Sequence, residues 1–102
     1  MSENRKYFAA KLLSPRPAFP FDMSDEEKII MQQHSEFWRE LLDSGKAVVT
    51  GPVLDPEGAY GFGIIIAGSV EEAELLLKDD PARRISSYRI YEMLASFSSD
   101  KE

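Results

Sequence analysis

Two Ser-x-x-Glu signatures, Ser24-Asp25-Glu26-Glu27 and Ser69-Val70-Glu71-Glu72, set the architecture open to this chain. A serine that accepts the amide three residues on, while a glutamate there reaches back, begins a helix. Each signature follows an apolar run with strand character, so helices alternate with strands. The first strand is expected over Lys6 to Leu13, ended by Ser14-Pro15-Arg16-Pro17. Pro20 to Met23 is too proline-rich for regular structure. The first helix then runs to about Ser44, with Gly45 as its left-handed cap. Ala47 to Leu54 is a second strand interrupted by Gly51-Pro52, and Asp55-Pro56-Glu57-Gly58 is a turn with proline preset at its second position. Tyr60 to Ala67 completes that hairpin. The second helix buries Val70, Ala73, Leu76 and Leu77 and stops at Asp79-Asp80-Pro81. Ile85 to about Leu94 is a fourth strand, and Ser96 to Glu102 is a polar tail expected to fray.

The order β-α-β-β-α-β is the ferredoxin-like, split βαβ arrangement of an α+β fold, a four-stranded antiparallel sheet with two helices on one face. Residues 1–95 form the single domain and 96–102 the tail. The strands carry a further message. Phe62, Ile64 and Ile66 point one way in the third strand, and Gly63, Ile65 and Ala67 the other. The first strand offers Phe8, Ala10 and Leu12 on one side and Tyr7, Ala9 and Leu13 on the other. Two helices cover only one face, and an apolar face left to water marks an interface. A homodimer packed sheet against sheet is the expected partner.

Composition excludes several classes of function. The 102 residues, 43% of them hydrophobic, suffice for one core and no second. Twelve basic against eighteen acidic residues leave a net charge of −6, which disfavours nucleic acid and anionic membrane surfaces alike. The absence of cysteine removes disulfides, thiolate nucleophiles and thiolate metal sites. No apolar run approaches the ~18 residues of a membrane span. The polar start Met1-Ser2-Glu3-Asn4-Arg5-Lys6 lacks the apolar core of a secretory signal, so a cytoplasmic protein is expected. No glycine-rich phosphate loop, nucleophile motif or histidine pair with metal-ligand spacing occurs, and no cofactor is expected.

One side chain invites a chemical reading. His34 is the only histidine. At 100° per residue it shares a face, within about 60°, with Ile30, Phe37, Trp38 and Leu41. Such a ring is either a neutral core imidazole bonded to a carbonyl or water, or a group that takes and gives protons at physiological pH.

At these positions the residues resemble the YCII-related (YciI-like) proteins. The resemblance is carried by Arg16-Pro17-Ala18-Phe19 with Asp22-Met23, then Glu27, His34 and Trp38. It continues through Gly51-Pro52-Val53, Asp55-Pro56, Gly58, Tyr60-Gly61, Asp80-Pro81 and Tyr91-Glu92-Met93. It spans Tyr7 to Met93 and implies a dimeric α/β-barrel, a fold shared with muconolactone-isomerase-like proteins and a dehalogenase of chlorinated muconolactones. It also implies a His–Asp pair in a pocket between sheet and helices, matching His34 and Asp80. The chain departs from the short members, which carry a basic residue and proline before the histidine, where Met31, Gln32 and Gln33 stand here.

The other candidates carry competing readings. Aspartate before proline is an ordinary cap, so Asp80 serves the turn from Pro81 to Arg84 whether or not it also orients His34. Asp43 lies half a turn out of phase with His34 and is discounted as its partner. Arg16 could clamp a substrate carboxylate with a bidentate fork or stay solvated. Trp38 and Phe37 fit the core as well as a ligand platform. Gly51 and Pro52, with Gly61 and Gly63, could floor a cavity or simply mark bulges. Two functions fit these residues. One is an enzyme with His34 and Asp80 catalytic and Arg16, Trp38, Gly51 and Pro52 binding substrate. It would act by acid/base chemistry, as an isomerase, lyase or dehalogenase, on a small cyclic or unsaturated acid. The other is a non-catalytic dimeric module that binds a small metabolite or acts as an accessory subunit.

Overall fold

In a computed structural model of the chain, residues 5–98 are described. Met1 to Asn4 and residues 99–102 of the expected tail lie outside them. Strand β1 (Lys6–Leu12) is followed by helix α1 (Asp25–Asp43) and strands β2 (Ala47–Val53) and β3 (Tyr60–Ala67). Helix α2 (Val70–Leu76), a 3-10 turn at Pro81–Arg84 and strand β4 (Tyr88–Met93) complete the order. The strands form one sheet in the order β2-β3-β1-β4, and every pairing is antiparallel. This is the ferredoxin-like α+β arrangement expected from the sequence.

Local chemistry accounts for the boundaries. Ser24 Oγ accepts the Glu27 amide at 3.1 Å and Glu27 Oε1 accepts the Ser24 amide at 3.0 Å, a complete capping box. At the other end of α1, Gly45 takes φ +79°. The Gly45 amide donates to Leu42 O at 3.2 Å and that of Lys46 to Leu41 O at 2.9 Å, a Schellman ending. The second capping box is only half formed. Ser69 Oγ accepts the Glu72 amide, but the Glu72 carboxylate takes the amide of Gly68 instead of Ser69. Val70 at the start of that short helix is exposed, contrary to expectation, whereas Ala73 and Leu77 are buried. Strand β4 begins at Tyr88, not Ile85, because the turn opened by Asp80-Pro81 continues through Ile85 and Ser86, whose amides return to Ala82 O. Pro52 is tolerated in β2 because that strand is a sheet edge.

Register divides the strands into two faces. Phe8 opposes Ile65, Ala10 opposes Gly63 and Leu12 opposes Gly61, all toward the helices. The core is built there, from Phe8, Ala10, Ile65, Ala67, Ala73 and Leu77 with Trp38 and Leu41 of α1. The opposite face carries Tyr7 against Ile66 and Ala9 against Ile64. Exposed Val49, Tyr91 and Met93 flank it. Past β4 the tail is not wholly polar in behaviour, since the Phe97 ring meets Tyr7 at a centroid distance of 5.1 Å.

One close approach joins sheet and helix. A Cβ on Gly63 would lie 2.5 Å from Cη2 and 2.6 Å from Cζ3 of the Trp38 ring. The Gly63→Ala substitution is therefore expected to destabilise by about 1–3 kcal/mol through overpacking. Gly51→Ala, whose added methyl meets nothing within 4 Å, is expected to stay within about 0.5 kcal/mol. Urea unfolding of the two variants measures the contrast.

Candidate functional site

Asp80 caps the 3-10 turn, its Oδ1 accepting the Ala82 amide at 2.9 Å. The carboxylate is buried, only 2% exposed, and faces α1. His34 Nδ1 lies 2.8 Å from Asp80 Oδ2 and 3.0 Å from Oδ1. The Tyr88 hydroxyl is also hydrogen-bonded to Oδ2, and Trp38 Nε1 is 2.9 Å from the Tyr88 oxygen. Donor directions follow from the chemistry of the groups. An indole N–H can only donate, so Tyr88 accepts from Trp38 and turns its own proton to Asp80. Asp80 then receives from Tyr88, Ala82 and His34, which makes Nδ1 the protonated ring nitrogen. Nε2 has no partner among the described residues, and in the neutral ring it carries a lone pair.

That ring borders a cavity of about 380 Å³ between the inner sheet face, α1 and the loop that follows β1. Leu12, Phe19, Met31, Trp38 and Leu42 make its walls apolar. Gly51, Pro52 and Gly61 border it from the hairpin strands. A general base set among apolar walls can remove a proton from carbon and return it elsewhere.

The sequence pattern of the YCII-related domain matches residues 8–96. The chain belongs to the YCII-related domain family. None of the curated proteins matches it.

In this YCII-related domain His34 and Asp80 are brought into contact, and Trp38, Gly51 and Pro52 border the same cavity. Trp38 is at once core and wall, being 2% exposed. Arg16 is placed elsewhere. Its guanidinium donates to Glu27 Oε1 at 2.6 Å and Oε2 at 2.8 Å, to Asp22 Oδ2 at 2.9 Å and to Asp22 O at 3.0 Å. With every arm engaged, it pins the loop to the start of α1 and does not border the cavity. Phe19, Pro20 and Met23 of that loop form one wall. The sequence reading missed Tyr88. The available signal was a tyrosine alternating with Ile90 on the inward face of β4, where a hydroxyl needs a partner.

Electrostatics agree with the bonding. Burial opposes ionisation of Asp80, and the bonds from His34, Tyr88 and the Ala82 amide outweigh it, so its carboxyl stays below the ordinary value of 3.8. Burial, reinforced by the neighbouring Asp80 charge, pushes the Tyr88 hydroxyl well above its usual range, keeping it a proton donor. The Arg16 bond holds Glu27 down at about 2. Among the described residues no group of three or more His, Asp or Glu side chains is placed to hold a metal ion. No helix among them is long and apolar enough to cross a membrane.

A carboxyl depressed by folding contributes stability that is present above its unfolded pKa and lost as pH falls through its folded one. For Asp80 that window opens at 3.8 and extends downward, and for Glu27 it runs from 4.5 to about 2. Asp80→Asn sets an amide among three donors and is expected to cost about 1–3 kcal/mol at neutral pH. It is also expected to flatten the acid limb of the stability curve. Urea midpoints measured from pH 7 down to pH 2 check both. An unchanged acid limb would mean that Asp80 titrates alike folded and unfolded.

Proposed function

We propose that this protein is a small-molecule enzyme in which His34 is the general base and acid and Asp80 its positioning carboxylate. The observation that carries the reading is the Nδ1–Asp80 bond, at 2.8 Å, on a ring that borders an apolar cavity and whose other nitrogen has no partner among the described residues. Nε2 takes a proton from carbon next to a carbonyl or conjugated acid, and Asp80 stabilises the imidazolium so formed. Returning the proton to another carbon isomerises the substrate. Expelling a hydroxyl or halide from the adjacent carbon completes an elimination or dehalogenation. Each route is redox-neutral: in isomerisation His34 returns the proton to carbon, in loss of a hydroxyl it gives the proton to that oxygen, which departs as water, and in loss of a halide it releases the proton to solvent. Small cyclic or unsaturated acids, lactones included, are the substrates this chemistry fits. The non-catalytic alternative, a metabolite-binding or accessory module, would use the same ring as a polar anchor.

We also propose a homodimer built on the open sheet face. Val49, Tyr91 and Met93 stand exposed there beside the outward Ile64 and Ile66, an apolar surface that a second sheet would cover. A cytoplasmic location and independence of cofactors belong to this reading, as does independence of nucleic acid and anionic membranes, which the acidic balance of the chain supports.

Screening lactones and unsaturated acids by proton exchange into deuterated water tests the catalytic reading. His34→Gln is expected to abolish exchange, and Asp80→Asn to slow it by about 10²–10⁴-fold, with folded spectra retained. Exchange undiminished in His34→Gln contradicts the reading, and ligand binding without any exchange favours the module. Ile64→Lys is expected to convert a dimer to a monomer in sedimentation equilibrium, and a monomeric parent contradicts the sheet interface.

A further inference from the structure

Several of the polar side chains around the cavity are committed. Thr50 Oγ1 donates to Phe62 O at 3.1 Å, the Ser14 hydroxyl donates to Ala59 O, and Tyr88 is engaged on both sides. Arg16, the obvious clamp for an acid, is held by Glu27 and Asp22 outside the cavity. Apart from the His34 ring, Arg39 is the only basic side chain bordering the cavity among the described residues. Its side chain is 69% exposed, and its salt-bridge partner is an equally exposed Asp43 at 3.6 Å. A pair that loose contributes little, so the guanidinium fork remains open to a better acceptor.

An anionic substrate cannot leave its charge deep in this cavity, because a carboxylate stripped of water needs a charged partner. The net charge of −6 makes the rest of the surface a poor host for it. Arg39 follows His34 by five residues, about 7.5 Å along the axis of α1. We propose that Arg39 reads the carboxylate of an elongated, otherwise apolar monoanionic acid at the mouth of the cavity. The ring or unsaturated body of that acid extends inward past Trp38 to His34. This assignment rests on the cavity being the substrate site and narrows its class: the carboxylate lies at one end of the molecule and the reacting carbon toward the other.

Cinnamate and cinnamamide, alike in shape and different in charge, are the probes, and quenching of Trp38, the only tryptophan, is the readout. The parent is expected to bind cinnamate roughly five- to tenfold more tightly than cinnamamide. Arg39→Gln is expected to bring that ratio to about one while changing cinnamamide affinity by less than about twofold. Asp43→Asn, which removes the competing carboxylate, is expected to raise the ratio. Equal affinities in the parent, no saturable binding of cinnamate, or a ratio that survives Arg39→Gln overturns the assignment. Because the readout is binding, catalysis is judged separately. An Arg39-dependent ratio without turnover of any acid removes only the acid/base reading. A ratio of one beside His34-dependent turnover removes only Arg39.

Discussion

A buried carboxylate tied to three donors holds the site and the end of the fold together. Asp80 receives the Ala82 amide from its own turn, the Tyr88 hydroxyl from β4 and His34 Nδ1 from α1. Taking such a charge out of water is costly, and it is tolerable only where hydrogen bonds replace the lost hydration. Here they do so fully enough to keep the carboxyl below its ordinary range despite burial. The same bonds join α1 to a turn and an edge strand that lie far from it in sequence, His34 and Asp80 being 46 residues apart. Structural capping and ring positioning are thus one interaction, and the two readings of Asp80 as cap and as catalytic partner are not rivals.

The cavity depends on a second constraint, the fit of Trp38 against Gly63. Without a Cβ there, the indole reaches the strand, and its N–H is left pointing at Tyr88. Packing and polar order therefore reinforce each other: the ring that fills the core also orients the hydroxyl that supports Asp80. On the far side, Arg16 fastens the loop after β1 to the first turn of α1, where Glu27 already closes the capping box. That loop brings Phe19, Pro20 and Met23 over the cavity as its outer wall.

Much of this was legible in the sequence because it is written in short-range chemistry. Ser24 and Glu27, Gly45, and Asp55 to Gly58 each specify a local geometry that few alternatives satisfy, and period-two patterning separated the faces of β1 and β3. The readings that changed involve competition among near-equal local options. Glu72 reached one amide further back than a full box requires, and Asp80-Pro81 carried its turn onward at the expense of the strand read from Ile85. The site was harder. His34 could be singled out by its place on an apolar stripe, and its partner was named only by family resemblance, since contact across 46 residues is a matter of tertiary geometry. Tyr88 left only a faint mark, its alternation with Ile90 on the inward face of β4, and nothing in that spacing names Asp80 as its partner. Arg16 looked free because nothing in the spacing says that Glu27 and Asp22 converge on one guanidinium.

Acid/base chemistry at this site turns on which nitrogen of His34 carries the proton. Long-range proton–nitrogen NMR of the imidazole in alkaline buffer measures this directly, and with one histidine the signals need no assignment. The expected result is a protonated Nδ1 and a bare, pyridine-like Nε2, with the order lost in Asp80→Asn. A parent ring protonated on Nε2 would contradict the account, since the nitrogen not bonded to Asp80 would then have no lone pair with which to accept a proton.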